Sequence, residues 1–120
     1  LRIVVIMSAD PESVLTQIRK GVLEYCVLAL LRSGPAYGLE LATRLGSRQV
    51  LLGNEGTLYP LLSRLRRQEL VETNRQESDS GPPRRYYQLT AAGHEALETF
   101  TGVWAPFVAD IESVLKEESA

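Results

Sequence analysis

Three patterns in the chain predict a mostly α-helical fold with a small β-hairpin wing: a winged helix-turn-helix with added N- and C-terminal dimerisation helices. A leucine-striped helix near the middle carries clustered arginines, and two strand-like segments flank a turn-rich stretch just after it. A long apolar seam with alternating steps of three and four residues follows toward the end of the chain.

With 120 residues, 44% hydrophobic and 23% charged, the chain has material for one modest core. Small domains bury a lower fraction of their surface than large ones, so a partner subunit is expected to supplement that core. The net charge of −2 announces no nucleic-acid partner, but its distribution does more: residues 17–90 hold 11 basic and 7 acidic side chains, and the two ends together hold 2 and 8. The middle is basic and the flanks are acidic. Cys26 is the only cysteine, which excludes an intrachain disulfide and a cysteine-built zinc cage and fits a reducing, cytoplasmic compartment. Within the apolar run "YCVLALL" it reads as a buried thiol and not a nucleophile.

Taken in order, residues 1 to 10 read as an extension or translation-start artefact, expected to be disordered; the alternative is an edge strand made by "RIVVI". "LRIVVI" is shorter than the ~7–15 apolar residues of a signal-peptide core, and no stretch approaches the ~20 of a membrane span. Residues 11–90 read as the DNA-binding domain and 91–120 as the C-terminal dimerisation helix. Asp10-Pro11-Glu12 opens a helix expected to run to about Arg32, where "SGPAYG" stops it. From Val22 to Leu31 it is apolar almost all round except at Glu24. It is therefore either a central core helix or one shared between the core and a partner subunit. A second helix is expected from about Ala36 to Leu45, capped by Gly46, and "SRQVLLGN" reads as the loop of a helix-turn-helix with a long connection.

The next helix lies in "NEGTLYPLLSRLRRQELVE", residues 54–72. At about 100° per residue, Leu58, Leu61, Leu62 and Leu65 form an inward stripe. Tyr59, Pro60, Ser63, Arg64 and Arg67 face outward, with Arg66 at the edge. Exposed helix faces normally carry charge, but guanidinium groups beside hydroxyls also suit a major groove, where arginine pairs with guanine and hydroxyls reach phosphates. Pro60 costs little if the helix begins at Thr57 and should bend it if the helix begins near Asn54. "LVETNRQ" and "RRYYQLT" then read as a hairpin turned by "ESDSGPP". Strand alternation groups Arg84 with Tyr86 and Arg85 with Tyr87, so at least one arginine faces solvent near the tip. Basic residues gathered on a helix and a wing answer to local phosphate attraction, whatever the net charge.

"TLYPLLSRLRRQELVE" and "GPPRRYYQLTAAGHEAL", with the long final helix, resemble the PadR family of bacterial transcriptional regulators from about Thr16 to Leu115. The resemblance implies a homodimeric winged helix-turn-helix protein, usually a repressor, bound to palindromic double-stranded operator DNA. It places Thr57, Tyr59 and their neighbours on the recognition helix, Arg84 and Arg85 on the wing strand, and Tyr37-Gly38 at the start of the second helix. The expected DNA contacts are Tyr37, Thr57, Tyr59, Ser63, Arg64, Arg67, Arg84 and Arg85.

In the last helix Thr90 is the expected N-cap, and Leu97, Phe100, Trp104, Phe107, Ile111 and Val114 form the seam. Its expected use is dimerisation, through Leu97, Ile111, Val114 and Leu115 and against the partner's first helix. Pro106 should kink it between Gly102 and Pro106. Trp104 is either a dimer-core aromatic or, by resemblance to family members that hold flat aromatic molecules, part of an effector site with Phe100 and Phe107. His94 stands alone, and no nucleophile set, phosphate-cradling loop, metal cluster or cofactor motif is present; no catalytic role is expected. The competing functions are a winged-helix module that binds protein and a regulator of another winged-helix family without an effector.

Overall fold

Gly21 divides the first helical segment in a computed structural model, which describes residues 10–78 and 81–117. The expected extension therefore lies, except for Asp10, outside the described residues, as does the tip of the hairpin. Asp10 belongs to the fold: its carboxylate accepts from the Ser13 N–H at 3.1 Å and caps α1 (Pro11–Arg19). The single helix expected from Pro11 to Arg32 is two helices, because Gly21 takes φ +81°, which glycine adopts without steric cost. The turn lets α2 (Leu23–Leu30) enter the core with Leu23, Val27 and Leu28, while α1, with no buried residue, lies outside.

Ala36–Tyr37 forms a short strand, β1, so the second helix, α3, starts two residues later than expected and covers Gly38–Gly46. The stretch read as a loop contains a further turn of helix, α4 (Gln49–Leu52), held because Leu52 is buried and because Arg19 caps its carbonyls. The Arg19 guanidinium donates to the Val50 carbonyl at 2.8 and 3.0 Å and to the Glu12 carboxylate at 2.8 Å, tying α1 to α4. A 3-10 turn (Glu55–Thr57) leads into α5 (Leu58–Arg67).

Strands β2 (Val71–Ser78) and β3 (Gly81–Leu89) are longer than their strand-like residues indicated and pair antiparallel through Val71 opposite Leu89, Thr73 opposite Tyr87 and Arg75 opposite Arg85. β1 adds to the other edge of β3, giving the order β1-β3-β2. The core lies between this sheet's root and the helices: Leu41 and Leu45 of α3, the leucines of α5, Val71, Tyr87 and Leu89. Thr90 caps α6 (Ala91–Lys116), its hydroxyl accepting from the Gly93 N–H at 3.0 Å, and the helix continues through Pro106.

The start of α6 is pressed against the turn that follows α5. Thr90 donates from its N–H to the Leu70 carbonyl at 3.1 Å and from its hydroxyl to the Glu69 carbonyl at 2.6 Å. Glu69 itself holds φ +61°, an uncommon conformation for a residue with a side chain. A β-carbon at Gly93 would stand 2.0 Å from the Leu70 carbonyl oxygen, and that neighbour is backbone that cannot swing aside. Gly93→Ala is therefore expected to lower stability by about 1–3 kcal/mol, seen as an earlier midpoint in urea unfolding with an unchanged slope.

Candidate nucleic-acid interface

The rotation of α5 is set by what it buries. Leu58, Leu61, Leu62 and Leu65 are all buried, so Tyr59, Pro60, Ser63, Arg64, Arg66 and Arg67 are left exposed. The helix begins at Leu58 with Thr57 at its N-cap position, which puts Pro60 in the first turn, where a missing N–H costs little. Ahead of it the Asn54 side chain accepts from the Gly56 N–H at 2.8 Å and fixes the approach of the chain. Arg64, Arg66 and Arg67 fall in the last turn, where the helix dipole favours cations.

Pairing of β1 with β3 brings the wing to the start of α3 and to α5. Arg84 places its guanidinium 4.5 Å above the Tyr37 ring, and Tyr37 meets Tyr86 edge-on at 5.4 Å. Such a cation–π contact restricts the arginine without neutralising it. Next to Tyr37, Gly38 leaves room for Tyr59: a β-carbon there would lie 2.8 Å from the Tyr59 ring. Tyr37, Tyr59 and Arg84, spread along the sequence, thus share one corner. Arg85 points to the other face of β3 with Tyr87, but beyond the edge of the core, so both wing arginines are exposed.

The wing also holds a cation absent from the sequence-based set. Arg75 stands directly opposite Arg85 across the ladder, and like charges in that relation repel. Its signal in the sequence was faint, a lone arginine in a polar strand whose register was not yet known. Arg64 differs from the rest of the expected contacts, since its Nη2 donates to Glu24 on α2 at 2.5 Å. Glu24 was visible only as the one charge in an apolar run.

On the far side of α2 the aromatic residues form a second site. Tyr25 stacks on Phe100 at 4.3 Å and Phe100 on Trp104 at 5.3 Å. Phe100 and Trp104 border an apolar groove of about 620 Å³ lined also by Ile18, Val22, Cys26 and Val50. Phe107, one turn further along α6, is 61% exposed and does not line that groove. Leu97 belongs to the domain core at 3% exposure, whereas Ile111, Val114 and Leu115 are exposed. The seam therefore divides: its first residue closes the domain, and its later residues remain uncovered. Burial pushes the Cys26 thiol above its ordinary pKa, which disfavours the nucleophilic thiolate. Among the described residues no group of His, Cys, Asp and Glu is placed to hold a metal ion, and no helix is long and apolar enough to cross a membrane.

Comparison with known proteins agrees with this geometry. The model of the PadR-like family of transcriptional regulators matches residues 27–99. The structure is similar to a PadR-like transcriptional regulator from Bacillus cereus, with 37% identity, 85% of this chain and 99% of that one covered, and a TM-score of 0.74. It is also similar to a PadR family transcriptional regulator from Eggerthella lenta, with 31% identity, coverage of 89% and 93%, and a TM-score of 0.75. An uncharacterised protein of Lysinibacillus sphaericus is 29% identical over 92 residues, 75% of this chain and 84% of that protein. A three-stranded wing beside an arginine-bearing helix, and a family match across most of the folded chain, lead to one conclusion: this chain belongs to the PadR-like family of transcriptional regulators, which bind DNA and are not enzymes.

Proposed function

We propose that the chain is a cytoplasmic homodimeric repressor that reads a palindromic operator through α5 and its wing, and that a small flat aromatic molecule bound beside Trp104 releases it. The observation that carries the DNA reading is the shared corner of Tyr37, Tyr59 and Arg84, which makes recognition helix and wing a single surface. Ser63 and Arg67 lie at the centre of the outward face of α5 and are assigned to base edges and phosphates; Tyr59 and Thr57 flank them. Arg84 and Arg85 are assigned to backbone phosphates, since a wing cation needs no base to attract DNA.

Dimerisation is supported by α6 beyond the domain. Phe107, Ile111, Val114 and Leu115 are exposed in a helix whose apolar steps match those of a two-helix seam. A second protomer covering them would hold two recognition helices for half-sites about one helical turn apart. The effector reading is supported by the groove that Phe100 and Trp104 border next to those residues, apolar and lined on one side by stacked rings.

A salt titration against DNA from upstream of the protein's own gene, with shuffled DNA as control, tests the reading. Tight binding to the native fragment alone, weakening steeply with salt, is expected. No binding to either fragment at low salt would overturn it in favour of a protein-binding module. Arg67→Glu is expected to abolish operator binding in the same assay while the dimer persists on sizing chromatography. Ile111→Asp should instead yield monomers at micromolar concentration, and their operator affinity should fall at least tenfold, in line with loss of the second half-site. Trp104 is the only tryptophan, so an aromatic effector should quench the protein's fluorescence and weaken operator binding over the same concentration range. Quenching without any change in DNA affinity would refute release by that ligand.

A further inference from the structure

We propose that Glu24 sets the strength of DNA binding: by holding Arg64 against α2, it competes with the DNA phosphates for that guanidinium. The proposal rests on the DNA-binding reading of α5 and adds a residue that touches no DNA itself. Among the described residues two ion pairs are present, Arg19 with Glu12 and Arg64 with Glu24. The second joins the recognition helix to a helix 40 positions earlier. Arg66 and Arg67, on the same turn of α5, have no ion pair among the described residues.

The strength of the pair suits this role. The Arg64 side chain is 49% exposed and that of Glu24 is 26% exposed, so water screens their attraction and the contact is weak compared with a buried one. A DNA phosphate offers an arginine a comparable charge-assisted bond together with counterion release. The carboxylate of Glu24 therefore reduces what Arg64 gains by moving to a phosphate, by the strength of the pair that must first break. Both side chains line a recess of about 400 Å³ between α1, α2 and α5, where Lys20 also lies within the same lining. Glu24 is also the one charged residue of α2, which otherwise buries apolar side chains. An acid in the first turn of a helix has a general stabilising effect, but that effect does not require Arg64.

The functional consequence follows from how proteins discriminate among DNA sequences. Phosphate contacts strengthen binding to every sequence alike, while base contacts strengthen only the right one. Tying up one of the three arginines at the end of α5 lowers the sequence-independent share of binding. Affinity for the operator and for other DNA falls by the same factor, and the ratio between them stays with the base contacts.

Glu24→Gln keeps the shape of the side chain and removes its charge, and Arg64→Ala supplies the control background. Affinities for the native upstream fragment and for shuffled DNA would be measured between 50 and 200 mM salt, with thermal melting to confirm that each variant folds. Glu24→Gln is expected to bind shuffled DNA more tightly and to steepen its log–log salt slope by ~0.9 per protomer, one phosphate each. The operator should gain alike, so the operator-to-shuffled ratio should hold, and the gain should be roughly threefold larger per protomer at 50 than at 200 mM salt. In Glu24→Gln/Arg64→Ala the steepening should vanish. An unaltered slope in Glu24→Gln, or a steepening that survives removal of Arg64, would overturn the proposal. Failure of the wild-type protein to bind either DNA would instead overturn the DNA-binding reading, and the proposal with it.

Discussion

Burial of the leucine face of α5 is the constraint on which the rest of the structure depends. Each fully buried leucine contributes on the order of 1.5–3 kcal/mol, and the four leucines of this helix are all buried. No rotation about the helix axis could expose one of them without losing much of a small domain's stability. The outward direction of Tyr59, Ser63 and Arg67 is thus imposed by the residues between them. The polar face and the core packing share one helix, and the apolar side sets the direction in which the polar side points.

That helix is anchored at both ends by contacts from distant parts of the chain. At its start, Tyr59 rests on the bare backbone of Gly38, beside the Tyr37 ring that carries Arg84. At its end, the turn through Glu69 and Leu70 is bonded to Thr90 at the head of α6. The same α6 runs on to Phe100 and Trp104 and then past the domain, so one helix touches the turn after α5, borders the aromatic groove and carries the exposed apolar residues.

Neighbouring residues of α2 give a second connection. Glu24 reaches the recognition helix through Arg64, and Tyr25, the next residue, stacks on Phe100. Successive side chains on a helix diverge by about 100°, so one short helix contacts both sites from different sides. The break at Gly21 makes this possible.

The sequence alone determined the elements with strong local signals: the leucine stripe, the hairpin around its turn residues, the capped final helix, and through the motif from Thr57 to Pro60 and the wing arginines, the family. These depend on periodicity and turn chemistry, which a chain carries locally whatever its neighbours do. The break at Gly21 was less legible, since a single glycine inside a helical pattern costs a helix only about 1 kcal/mol and packing decides whether the helix survives it. Strand β1 and helix α4 are too short to show a period and exist because β3 and Leu52 give them partners. The tertiary structure alone decided that Arg64 meets Glu24, that Arg75 faces Arg85, that Arg84 lies on Tyr37, and that Leu97 closes the domain while the later seam residues stay exposed. Each of those outcomes depends on register or on the rotation of one element against another, and no local pattern specifies either until the core is assembled.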